Sequence, residues 1–181
     1  MKGLKIPTVV INKAQDLQPP LDKSVEEFLD SIMKGARDCF DRDNEVMPLF
    51  FMKDGDQTVP MGFKELTPEV KQAFYKWMHT QIPLHDACIF VVETWFASAL
   101  KSETKDGVDD LLLMPSQRAD RREMVMIHLF TPTRRVTIVA EITRKPNKLG
   151  PWERFEDTDD KGSIHVEGPM INVPFTEKIK Q

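Results

Sequence analysis

Two apolar, strand-like segments, Met124–Thr131 and Val136–Arg144, are joined by the short link Thr131-Pro132-Thr133-Arg134-Arg135. A connection this short makes the two strands antiparallel neighbours, because a parallel pair needs a crossover of a dozen or more residues. An antiparallel hairpin therefore sits at the heart of the fold. If residues 131 and 136 close it, Val125, Ile127 and Leu129 share a face with Ile138, Ala140 and Ile142. That face is wholly apolar and must be buried against helices. The opposite face carries Met124, Met126, His128 and Phe130 against Thr137, Val139, Glu141 and Thr143.

A third strand, Cys88–Ser98, is apolar on both faces, which predicts a central position in the sheet. Upstream, Ser24 and Glu27 read as a capping box that starts a helix, and Val25, Phe28, Leu29, Ile32, Met33, Ala36 and Phe40 line one side of it. Val46–Met52 and Thr58–Phe63 flank an Asp54-Gly55 turn signal and read as a second hairpin, with Pro60 best placed on an edge. Thr67, Pro68 and Glu69 begin a second helix with buried stripe Val70, Ala73, Phe74, Trp77 and Met78, and Pro83 ends it. The expected fold is a two-layer α+β domain with about five mainly antiparallel strands and two helices packed on the sheet, in the order α-β-β-α-β-β-β. That order is similar to the layout of roadblock/longin and profilin-like domains.

The expected organisation is an extended segment over 1–23, one domain over 24–157 and a C-terminal arm over 158–181. Val9–Ile11 is a candidate extra strand, 101–120 a long polar connection, and Trp152–Asp157 a last edge strand. In 181 residues, 40% hydrophobic and 30% charged, one full domain fits and two would be cramped. No apolar run approaches the ~18–20 residues of a membrane helix, and the N-terminus does not read as a signal peptide. Cys39 and Cys88 sit inside apolar patterns and are expected as reduced, buried thiols in a cytoplasmic protein.

Three groups of residues are candidates for chemistry. Glu93, His128 and Glu141 form a polar island if Glu93 faces the same side as the other two. A carboxylate there would hold the imidazole as a general base, or the island would bind a ligand. The plainer reading is a half-solvated sheet face. His79, His85 and Asp86 flank the end of the second helix, but a spacing of six between the histidines is not a usual ligand spacing, so no metal is expected. The window 117–148 holds eight basic and three acidic residues, a charge of +5 in a chain that totals −4. Its arginines fall at the two ends of the central hairpin, about eight residues or roughly 27 Å apart at ~3.4 Å per residue. Arg121, Arg122, Arg144 and Lys145 converge at the open end and are the better site for an anion or an acidic partner. The acidic segment Glu153–Asp160 is the expected anion, with no useful nucleic-acid affinity.

Val92-Glu93-Thr94-Trp95, the Pro115-x-x-Arg118-x-x-Arg121-Arg122-Glu123 segment, Ile142-Thr143-Arg144 and Leu149-Gly150-Pro151-Trp152 together resemble small uncharacterised bacterial and phage proteins over residues 85–152. Thr94 stands where those proteins usually have Ala. The resemblance implies a bacterial or phage cytoplasmic protein and brings no activity. The function expected from the sequence is a non-enzymatic interaction or oligomerisation domain without cofactors. Its partner is a second copy or another protein, met through a sheet edge or the Met124/Met126/Phe130 face. The alternative is a small-molecule-binding domain or enzyme around Glu93, His128 and Glu141.

Overall fold

The computed structural model describes residues 20–63, 67–96 and 121–157. Over these the chain forms α1 (Lys23–Asp43), β1 (Leu49–Asp54), β2 (Gln57–Gly62), α2 (Pro68–Gln81), a 3-10 turn (Ile82–Leu84), β3 (Ala87–Phe96), β4 (Arg122–Phe130), β5 (Arg135–Arg144), β6 (Asn147–Leu149) and β7 (Glu153–Asp157). The strand at Val9–Ile11, the 101–120 connection and the C-terminal arm lie outside the described residues. The fold is α+β, and every strand pair is antiparallel. The sheet order is β2-β1-β3-β4-β5-β6, with β7 also alongside β5. β3 is thus interior, between β1 and β4.

The expected order holds through β5, and two further strands follow. β5 is ten residues long, and β7 and β6 share its outer side: β7 pairs with Arg135–Val139 and β6 with Ile142–Arg144. β6 lies in a turn-rich segment that carries no strand pattern of its own.

The two helices lie on opposite faces of the sheet, so the arrangement has three layers rather than two. Ala87, Ile89 and Val91 of β3 join Val25, Phe28, Leu29, Ala36 and Phe40 of α1 in one apolar cluster. The alternate residues Cys88 and Phe90 join Phe74 and Met78 of α2 in another. Period-two alternation along β3 feeds both layers. Val125, Ile127, Leu129, Ile138 and Ala140 are all buried on the α1 side. Beneath α2, Phe50 packs edge-on to Phe74 at 5.6 Å and to Trp77 at 5.7 Å.

Helix ends follow capping chemistry. The carboxylate of Asp22 accepts the Ser24 N–H at 2.9 Å, so the cap of α1 is Asp22 and not the Ser24/Glu27 box. Asn44 closes α1 in the left-handed conformation at φ 58°, and its N–H donates to the Phe40 carbonyl. Thr67 caps α2, with Pro68 in its first turn, as the sequence indicates. Three arginines fasten α1 to the sheet. Arg154 of β7 meets Glu26 at 2.6 Å in its first turn. Arg37 donates to the carbonyls of Leu149 (3.0 Å) and Gly150 (2.6 Å), with Trp152 5.3 Å away. Arg144 donates to the carbonyl of Asn44 at 2.7 Å.

The central hairpin closes at Phe130↔Arg135, not at 131/136. Thr131 and Arg134 form the turn: the Thr131 N–H donates to the Arg134 carbonyl, and the Arg134 N–H donates to the Thr131 hydroxyl, both at 2.9 Å. Opposite partners are therefore displaced by two residues. An even displacement leaves the faces intact but changes which side chains meet.

At the other side of the sheet, the Phe63 N–H donates to the Pro48 carbonyl at 3.2 Å. Alternation from that pair makes Phe50↔Met61, Met52↔Val59 and Asp54↔Gln57 the hydrogen-bonded pairs. The backbone groups of Thr58, Pro60 and Gly62 then point to the edge that no other described strand pairs with. Pro60 has no N–H and places its ring there, which obstructs the addition of another strand.

Candidate functional site

The displaced register separates the polar residues expected to form an island. His128 stands opposite Thr137, and Glu141 stands opposite Met124. His128 and Glu141 are thus four positions apart along the hairpin, or about 14 Å at ~3.4 Å per residue. Glu93 pairs with Val125 and belongs to the α1 side, whereas His128 and Glu141 face the other way. The three are not brought together.

Each has partners of its own. His128 is buried, with Nδ1 3.1 Å from the Thr137 hydroxyl and its ring 6.1 Å from that of Phe130. Burial pushes its pKa down to about 4, so the imidazole is neutral at neutral pH. Glu141 is exposed and meets Arg122 at 3.4 Å. Glu93 accepts the backbone N–H of Val46 at 2.6 Å and lies 3.3 Å from Arg144.

Glu93 belongs to a polar cluster centred on Arg144. Arg144, on the α1 side of β5, reaches three elements. Its Nε donates to Glu123 of β4 at 2.8 Å, and a second nitrogen closes a fork on the same carboxylate. That second nitrogen also faces Glu93 of β3, and the third holds the Asn44 carbonyl at the end of α1. The guanidinium lies 5.7 Å from the Phe40 ring. Desolvation pushes the Glu93 pKa up, and the negative charge of Glu123 adds to this. The Val46 N–H and Arg144 oppose it. Glu123 holds Arg144 in its charged form. Two carboxylates sharing one guanidinium make a clasp that fixes the α1–β1 connection onto β3, β4 and β5.

The basic residues expected at the open end of the hairpin have different partners among the described residues. Arg144 is engaged by Glu123 and Glu93 rather than by the acidic segment after Lys145. Arg122 turns to Glu141, on the opposite face. Arg121 lies over the Trp95 ring at 5.0 Å. Lys145 is exposed in the turn between β5 and β6. The signal missed in the sequence was the positional match of Glu93, Glu123 and Arg144, which lie at the same end of three adjacent strands and on one face.

A second clasp was also missed. His85 Nδ1 lies 2.6 Å from Asp54, and Asp86 accepts the N–H of Gly55 at 2.9 Å. Together they tie the entry of β3 to the β1–β2 turn. Gly55 sits at φ 53°, the conformation that favours glycine and that an Asp-Gly turn anticipates. Next to it Lys53 is buried, with its ammonium donating to the Gly55 carbonyl and lying 6.0 Å from the Phe28 ring. Its place on the α1 side follows from alternation with Leu49 and Phe51. Among the described residues no group of three His, Cys, Asp or Glu is arranged to hold a metal.

The Met124/Met126/Phe130 face is buried, with 6%, 6% and 5% of each side chain's residue surface exposed. Cys39 and Cys88 are free thiols, and burial, with the Asp54 charge, pushes Cys88 up to about 12. No described helix is long and apolar enough to cross a membrane. Neither a family model, nor a curated protein, nor a solved structure matches the chain.

Proposed function

We propose that the protein is a cytoplasmic, non-enzymatic interaction domain that self-associates through side chains at the β1–β2 end of the sheet. The observation that carries this reading is the exposure of Val59 (54%) and Leu84 (49%), two large apolar side chains left in solvent at that end. Val59 stands opposite Met52 on the α2 side. Leu84 immediately precedes His85 and Asp86, which are tied to the same turn. Exposed large apolar side chains favour association when a partner removes them from water. With Pro60 obstructing the open edge, side-chain packing supports contact better than strand addition does. The two free thiols fit a reducing compartment.

The polar groups that a reaction would use are engaged in holding elements together, which favours this reading over an enzyme built on Glu93, His128 and Glu141. The test replaces Val59 and Leu84 by Glu, singly and together, and follows mass by light scattering across a concentration series. The expected result is a wild-type oligomer that the double variant converts to monomer while its circular dichroism is unchanged. An oligomer unaffected by both substitutions would show that this surface does not mediate association.

A further inference from the structure

We draw no further inference here: the strongest candidate, the face of β4 and β5 that carries His128, Met124, Met126 and Val139, is buried, but nothing among the described residues shows what covers it.

Discussion

Acid should weaken this fold through His128. The side chain is buried between strands with the Thr137 hydroxyl as its hydrogen-bond partner, and burial holds its pKa at about 4. In the unfolded chain the same imidazole titrates near ~6.5. A group whose folded pKa is depressed favours the native state above its unfolded pKa and loses that advantage as pH falls. Below about pH 6.5 the unfolded chain binds a proton that the native state refuses, so stability falls until the folded pKa is reached. The interval corresponds to about 3 kcal/mol in total, of which about 2 kcal/mol is lost between roughly pH 7 and pH 5. Glu93 acts in the opposite sense, because its raised pKa makes the native state the better proton binder in mild acid. The comparison that isolates His128 is therefore a pair of proteins sharing Glu93. His128→Gln keeps a hydrogen-bonding group beside Thr137 and does not titrate. Urea unfolding of both proteins across this range should show a stability gap that narrows by about 2 kcal/mol toward acid. Parallel pH profiles for the wild type and the variant would refute the assignment of a buried, neutral imidazole.

Three further outcomes follow from the same contacts. Arg144→Met leaves the Glu93 and Glu123 carboxylates without their shared cation. It should cost about 1–3 kcal/mol at neutral pH, less than a fully buried pair because the cluster is partly solvated. That loss should shrink in mild acid as Glu93 takes up a proton, and an equal loss at both pH values in urea unfolding would count against the clasp. Cys88, buried with its thiol pushed up to about 12, should resist a thiol reagent in the folded protein while half-buried Cys39 reacts. A count of two rapidly labelled thiols before denaturant is added would contradict this. Pro60→Thr restores an outward N–H at the open edge of β2 and removes the obstructing ring, so sedimentation should reveal species larger than those of the wild type. Unchanged sedimentation would mean that Pro60 does not guard that edge.

Structure is legible in this sequence where a local rule and a global pattern agree. Thr67 followed by Pro68 marks the start of α2 because a cap and a preset φ act within one turn. The apolar face of Val125, Ile127, Leu129, Ile138 and Ala140 survives a register error because the error is even. What fails is whatever depends on that register. Placing His128 opposite Val139 makes Glu141 its diagonal neighbour, and the real turn moves the pair apart. The both-sided apolarity of β3 indicates two covered faces, but neither helix sequence says which face it takes, so a two-layer arrangement fits the sequence equally well. Met124, Met126 and Phe130 look available on a hairpin considered alone and are buried in the folded chain. The Arg144 clasp was out of reach because its carboxylates are distant in sequence and close only through strand pairing, whereas the acidic segment beyond Lys145 is merely near along the chain. β6 was hidden because three residues in a turn-rich stretch carry too short a pattern to read.

Val59 and Leu84 are proposed to join two copies of the chain. The most direct test is the mass of the wild-type protein in solution by sedimentation equilibrium at high micromolar concentration. A species of twice the 20.9 kDa chain mass that dissociates on dilution is expected. A mass of 20.9 kDa throughout that range would contradict it.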